Sequence, residues 1–463
     1  MAGFLVAAAH KSSGKTIIST GLASALTKSG CKVQTFKKGP DYIDPMWLSA
    51  ASGGPCYNLD FNVMEPEELL GFYASRAIKG DISLIETNKG LFDGVKLDGG
   101  DSNAALAKLL QSPVVLVIDS SGMTRGIAPL LQGYAAFDQG VTIAGVILNN
   151  VGGLRHENKL RAAVETYTDI PVLGAVGRNP LLEIGERHLG LTTPVESREA
   201  ALRIDSIGEI IKQSVDLTAV QAIANTAVRM PIRTIRAPTA KGSRVRIGFA
   251  KDQAFGFYYA DDLEAFAENG AELIPFDTLN DTALPEIDGL FLGGGFPETQ
   301  LQQLAANAGL MRDIWVKIEQ GMPTYAECGG LMYLCETLSW QGQKYQMVGA
   351  ISGDAVMHDR PQGRGYSEFE NTSDHPWSAK GAYIKAHEFH YARVENLPSN
   401  LKYGRKIMRG EGLDGHHDAV VLGNLVAGFC HMRSSKSTPW VKEFVQFVRK
   451  QKAGSRNPSI NGT

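Results

Sequence analysis

The sequence predicts two α/β domains in one chain, and three observations carry that prediction. Short apolar runs alternate with helix-length segments from the first residues onward, the pattern of a parallel sheet covered by helices on both faces. The alternation fades near Asp216 and restarts at Val245, after a stretch rich in proline and cations. Each half carries a glycine-containing turn with a reactive side chain directly after one of its strands, a lysine in the first half and a cysteine in the second. The expected boundaries are a first domain over 1–216, a linker over 217–244, a second domain over 245–451 and a polar, frayed tail over 452–463.

Composition narrows the class. A chain of 463 residues has mass for two or three domains with sizeable cores. The net charge of -3 offers no cationic excess to neutralise phosphates, which excludes general nucleic-acid binding while leaving room for a local basic pocket. The five cysteines, Cys31, Cys56, Cys328, Cys335 and Cys430, are odd in number and form no CxxC pair, so neither a disulfide framework nor a zinc site is expected. A reducing cytoplasm follows as the expected compartment. The apolar start lacks a basic segment and runs into a phosphate-loop motif, so it reads as a strand rather than a signal peptide. No apolar run is long enough to span a membrane.

In the first domain, strands are expected at 4–8, 33–36, 83–86, 114–119, 144–148 and 172–175. Residues 9–16 match the phosphate-loop pattern except that Ala9 replaces its first glycine, and a helix over 17–28 follows. Backbone N–H groups around Ser13 and Gly14 and the helix N-terminus suit phosphate oxygens. Lys15 reaches the β- and γ-phosphates, and the Thr16 hydroxyl helps to hold Mg²⁺, so ATP with Mg²⁺ is the expected ligand. Asp41 and Asp44 follow the second strand and Glu86 ends the third. In an open parallel sheet these carboxyl ends lie beside the phosphate loop, which makes Thr16, Asp41 and Glu86 a sensible set of hard oxygen ligands. Taken singly, each acid is also compatible with a solvated loop residue. Asp119 stands where a Walker-B acid would, or caps the following turn.

In the second domain, strands are expected at 245–250, 272–275, 289–292 and 323–326. Cys328 follows the last of these and precedes Gly329, Gly330 and a helix. A strand-to-helix turn exposes a nucleophile, and the glycines let substrate approach. The Gly293–Gly295 turn also follows a strand, and Gly294 and Gly295 offer backbone donors for an oxyanion. His431, after an apolar run, is the expected general base.

These motifs together resemble the cobyrinic acid a,c-diamide synthase family over nearly the whole chain. The resemblance rests on residues 10–16, 39–45, 145–150, 186–191, 255–259, 293–298, 327–331 and 387–391. It implies a dethiobiotin-synthetase-like ATPase domain joined to a class I glutamine amidotransferase-like domain. It implies that ATP phosphorylates an acetate side chain of an anionic tetrapyrrole, and that ammonia from glutamine converts the acyl phosphate to an amide, at the a and c positions in turn. Under the resemblance Cys328 is the glutaminase nucleophile and His431 raises its nucleophilicity. Lys15 and Thr16 hold phosphate and Mg²⁺, while Asp41, Asp44 and Glu86 belong to the metal and carboxylate-activation site, Asp44 on the carboxylate side. Asn149 touches the adenine.

Three departures from the family pattern stand out. Arg433 occupies the place of a glutamate that many such amidotransferases carry two positions after the histidine, which favours a Cys–His dyad over that triad. Thr87-Asn88-Lys89-Gly90 replaces glycine-valine-methionine-glycine, and the segment 358–366 is unusually polar. Lys89 adds a cation that either pairs with a peripheral carboxylate of the substrate or is a solvated loop lysine. Siroheme is the alternative substrate. A partitioning-type ATPase switch is the non-enzymatic alternative, but it leaves Cys328 unexplained. It also expects a lysine five positions before Lys15, where His10 stands.

Overall fold

The computed structural model describes residues 2–183, 186–187, 190–191, 193–194, 199–228 and 242–455. The chain divides into two compact units, Met1–Ile235 and Arg236–Thr463.

The first unit is built on seven parallel strands: β1 (Ala2–Ala8), β2 (Val33–Lys38), β3 (Tyr57–Leu59), β4 (Ile82–Glu86), β5 (Val114–Asp119), β6 (Ile143–Val151) and β7 (Val172–Gly177). Their order across the sheet is β3-β2-β4-β1-β5-β6-β7. Helices cover the sheet, so β1, β2 and β4 are buried almost throughout and read as continuous runs rather than alternating ones. Strand β3, absent from the sequence reading, is three residues at the sheet edge, too short to display a period. The register is what builds the site. Glu86 pairs with Val6 of β1 on one side and with Lys37 of β2 on the other, so the ends of three strands converge. Helix α1 (Lys15–Lys28) begins two residues earlier than expected, at the lysine itself.

The first unit continues past Asp216. The Asp216 side chain accepts from Ala219 N at 2.9 Å and caps a helix, Leu217–Ala224, that buries Val220 and Ala224. The linker expected from 217 therefore starts as a packed helix, and residues 229–241 lie outside the described residues. The motif over 186–191 also lies partly outside them. Only the pairing of Glu186–Arg187 with Gly190–Leu191 is described.

The second unit centres on a nine-stranded mixed sheet. Five parallel strands, Ala271–Phe276, Val245–Ala250, Gly289–Leu292, Thr324–Glu327 and Leu425–Gly428, lie side by side in that order. Four antiparallel ones extend the sheet: His417–Leu422, Lys402–Arg409, Gly363–Asn371 and Tyr383–His390. A separate four-stranded sheet contains Cys335–Trp340 and Ile351–Met357. The antiparallel half was not anticipated, because strands such as Gly363–Asn371 carry Arg364, Glu368 and Glu370 and look polar as a segment. Gly294–Gly295 forms a two-residue strand paired with Phe255–Phe257, not the free turn that was expected. The expected tail begins as helix, since Trp440–Ser455 includes Lys452, whose Nζ lies 2.7 Å from Asp288 Oδ2. All five cysteines are free.

Candidate active sites

The phosphate loop takes its shape from two left-handed residues, Ser12 (φ 63) and Gly14 (φ 86). Gly14 must be glycine on two counts. Besides its φ, a Cβ there would sit 2.2 Å from Asn149 Nδ2. That amide donates to Ser13 O at 3.0 Å, so Asn149 buttresses the loop from the end of β6. Just beyond Asn149, where β6 and β7 end, a cleft of about 500 Å³ is lined by Val151, Gly152, Leu154, Gly177 and Arg178. Lys15 is buried and donates from Nζ to Lys89 O at 2.6 Å. Burial first, then the neighbouring Lys37 cation, pulls its pKa below the ordinary lysine value. Lys89 itself is exposed and has φ 43; it contributes its carbonyl to this contact.

Thr16 Oγ1 donates to Glu86 Oε1 at 2.8 Å. Glu86 is fully buried, and its Oε2 has no hydrogen-bond partner among the described residues. Lys37, a residue the sequence reading passed over, stands in the middle of the acids. Its Nζ bonds Asp44 Oδ2, lies 3.0 Å from Glu86 Oε1 and 3.6 Å from Asp41 Oδ2. Burial opposes the Lys37 charge, but Asp44, Glu86 and Asp41 outweigh it and hold the ammonium well above its usual pKa. Burial likewise works against the Asp44 carboxylate, and Lys37 overrides it, keeping Asp44 below the usual range. Glu86 is pushed the other way: burial raises it more than Lys37 lowers it.

Asp41 sits at the rim. Its Oδ1 accepts from Ile43 N (3.0 Å) and Asp44 N (3.1 Å) and so caps the helix Ile43–Ser52, leaving only Oδ2 toward the cluster. Asp119 Oδ1 accepts from Ser121 N at 2.9 Å, the turn-capping alternative. The structure thus brings Thr16, Glu86 and Asp44 together around Lys37, with Asp41 at the margin. Thr16 and Glu86 fit Mg²⁺, a hard ion that beside a nucleotide takes one or two protein oxygens and completes its shell with phosphates and water. The unpartnered Glu86 oxygen is a suitable donor. No all-protein metal cage of three His, Cys, Asp or Glu exists among the described residues.

In the second unit, Cys328 joins the strand Thr324–Glu327 to the helix Gly329–Leu334 at φ 48 and ψ −100. A non-glycine residue held there costs on the order of 1–3 kcal/mol. The surroundings enforce it: Cys328 N donates to Gly428 O at 2.8 Å, and a Cβ on Gly330 would come within 2.4 Å of Leu292 O. His431 is 3% exposed and is tied to His387 by backbone bonds in both directions, 2.8 and 3.3 Å. Their rings stack at 5.0 Å. The imidazole neighbours Cys328, and its Nδ1 lies 3.3 Å from Glu327 Oε2. Burial disfavours its charge, but Cys328 and Glu327 prevail and raise His431 to about 10.

Gly294 and Gly295 do line this site. A Cβ on Gly294 would meet His431 Cε1 at 2.7 Å, and Gly295 N lies 3.0 Å from where a Gly329 Cβ would be. Arg433 makes a two-pronged ion pair with Asp261, Nε to Oδ2 at 3.0 Å and Nη2 to Oδ1 at 3.2 Å, and anchors the segment after the histidine. Glu327, next to Cys328, is the carboxylate beside His431. The signal for it was strand alternation: Tyr325 and Glu327 share a face of a buried strand, and an acid there needs a partner.

Two family models match the chain. Residues 4–191 match a CobQ/CobB/MinD/ParA nucleotide binding domain, and residues 246–438 match a CobB/CobQ-like glutamine amidotransferase domain. Curated relatives named cobyrinate a,c-diamide synthase align nearly end to end. The one from Magnetococcus marinus is 42% identical over 452 residues, covering 96% of this chain and 97% of its own. The one from Methanosarcina acetivorans is 39% identical, covering 92% and 91%. The one from Listeria monocytogenes serotype 4b is 38% identical, covering 92% and 95%.

Proposed function

Because the chain belongs to the cobyrinate a,c-diamide synthase family and is a glutamine-dependent, amide-forming ligase, we propose that its acceptor is cobyrinic acid, amidated on the a- and c-acetate side chains. One observation carries the residue-level reading. A single chain holds a phosphate loop whose Thr16 bonds a buried glutamate, and a strained cysteine beside a buried histidine.

In the first unit, Lys15 and the loop N–H groups around Ser13 and Gly14 hold the ATP phosphates. Asn149 and the neighbouring cleft receive the adenine. Thr16 and Glu86, with Asp41 at the rim, hold Mg²⁺, which when bound neutralises phosphate charge. Asp44 and Lys37 position the acetate so that its oxygen attacks the γ-phosphorus in line, giving an acyl phosphate and ADP. Lys89 faces a peripheral carboxylate of the macrocycle. In the second unit, Cys328 attacks the glutamine carboxamide carbon while Gly294 and Gly295 N–H groups take up the oxyanion. His431 protonates the departing ammonia, and water then releases glutamate from the thioester. Ammonia attacks the acyl phosphate, expelling phosphate and leaving the amide.

The test is mass spectrometry of products after cobyrinic acid and siroheme are incubated separately with ATP, Mg²⁺ and glutamine. Monoamide followed by diamide from cobyrinic acid supports the reading. Amide from siroheme alone moves the assignment to that substrate. Phosphate release that is indifferent to both acceptors points instead to a partitioning-type switch.

A further inference from the structure

The residues behind the Cys328–His431 pair form a chain of hydrogen bonds that nothing in the reaction scheme above uses. Glu327 Oε1 accepts from the Tyr325 hydroxyl at 2.6 Å and from Met432 N at 2.9 Å. Its Oε2 faces His431 Nδ1 at 3.3 Å. The Tyr325 oxygen in turn accepts from Arg405 Nη2 at 3.0 Å. Arg405 is fully buried, and its Nη1 donates to Asp418 Oδ2 at 3.1 Å and to Cys430 O at 3.2 Å. Asp418, also fully buried, accepts from Phe429 N (2.8 Å) and Cys430 N (3.2 Å), the two residues before His431.

We propose that Glu327 is the positioning residue that orients His431 for glutamine hydrolysis, and that Arg405, acting through the Tyr325 hydroxyl, holds the Glu327 carboxyl in the orientation this needs. Arg405 can only donate, so the Tyr325 oxygen must receive, and its proton must point to Glu327. The Met432 N–H points there as well. Glu327 is thus an acceptor at Oε1 twice over, which pins that oxygen and leaves Oε2 to meet His431. Oε2, facing His431 Nδ1 at 3.3 Å, then holds that side of the ring and turns Nε2 toward the sulfur. The backbone agrees. Tyr325 and Glu327 lie on one face of a strand, and Arg405 pairs directly across its own ladder with Asp418. Burying a guanidinium costs several kcal/mol unless its charge is matched. Asp418 matches it, and the Tyr325 contact extends its field toward the active site.

Other ionisable groups face the same centre. Cys328, His387 and Arg433 lie around His431, and Tyr258 and Asp262 also feel Glu327. A pH profile must therefore be compared between variants rather than read from one protein. The inference rests on Cys328 being the attacking thiol, and the experiment separates the two.

Glu327→Gln, Glu327→Asp, Tyr325→Phe and Cys328→Ser are made in the full chain. Amide synthesis is followed with glutamine and with ammonium chloride. The rate of Cys328 alkylation by a chloroketone analogue of glutamine is followed against pH. Glu327→Gln should lower kcat with glutamine by roughly 100-fold or more with little change in KM, and Glu327→Asp should recover part of the loss. Tyr325→Phe, which leaves the Arg405–Asp418 pair intact, should cost about tenfold, the scale of one hydrogen bond to a charged group. Both should displace the alkylation profile along the pH axis and leave ammonium-dependent synthesis within about twofold of wild type. Wild-type glutamine kcat and an unmoved profile in both variants would overturn the proposal, as would equal loss with either nitrogen source. Glutamine-dependent synthesis surviving in Cys328→Ser would instead remove the thiol reading beneath it.

Discussion

The two reactive centres handle buried charge in opposite ways. In the first unit, three carboxylates surround one lysine, and Lys15 rests on a backbone carbonyl. In the second, charges are matched pair by pair: Arg405 with Asp418, Arg433 with Asp261, His431 with Glu327. On the roles proposed above, the difference follows from what each centre handles. Glutamine presents a neutral amide to the thiol, so that centre can be wired internally in advance. Nucleotide phosphates and Mg²⁺ bring large charges of both signs, so the groups that receive them must exchange partners. Preorganisation suits the first task, and an incompletely balanced cluster suits the second.

The sharpest way to break this comparison is Lys15→Ala. Without the γ-phosphate clamp, synthesis should fall at least roughly 1,000-fold with either nitrogen source. Near-normal product formation would mean that the phosphate loop is not the activating site. Cys328→Ser should separate the centres. A serine hydroxyl is scarcely ionised near neutrality, so glutamine-dependent synthesis should drop by about 1,000-fold. The same protein should still make product from concentrated ammonium chloride at alkaline pH. Loss of both activities in folded protein would tie the cysteine to acceptor activation.

Lys37→Met asks how far the acidic cluster depends on its single central cation. Removing one partner of a buried ion pair costs about 3–5 kcal/mol, which should appear as a lower unfolding midpoint in denaturant. A midpoint unchanged from wild type would mean that Glu86 and Asp44 take up protons at little cost once Lys37 is gone.

The smallest effect concerns acid. His375 is buried, and its Nδ1 accepts from Ser378 N at 3.2 Å, so the fold holds it neutral. Burial first, and Arg405 second, lowers it to about 3. The folded value lies below the unfolded one, near 6.5, so this stability term is complete above pH 6.5 and is lost as pH falls toward 3. The slope is about 1.4 kcal/mol per pH unit in that window. His375→Gln should flatten the decline of thermal stability between pH 6.5 and 5. An identical decline would place the acid sensitivity elsewhere in the chain.

Much of this was legible in the sequence, for particular reasons. Buried parallel strands announce themselves as apolar runs, so the core strands of both units could be read directly. The phosphate loop and the Cys328 elbow were visible because a turn followed by a helix demands glycines at fixed offsets. Lys37 escaped notice because a lysine inside a strand looks like an outward-facing residue until the register sets it against Glu86. Glu327 escaped for a related reason. The family pattern places its carboxylate two positions after the histidine, whereas the carboxylate that meets His431 arrives on a different strand, one residue before the cysteine. Arg405 lies about eighty residues from its tyrosine partner, and no local pattern joins them.

The backbone at Cys328 has a consequence for how this protein can change. A domain has roughly 5–15 kcal/mol of net stability, and a left-handed cysteine gives up on the order of 1–3 of it. On the proposed role of Cys328, reactivity at the sulfur is carried as a standing deficit in the folded state, present whether or not substrate arrives. Selection for a hardier protein and selection for a working thiol pull on the same dihedral in opposite directions. Any lineage that lost the need for glutamine would be free to relax that turn, and would be expected to gain robustness by doing so.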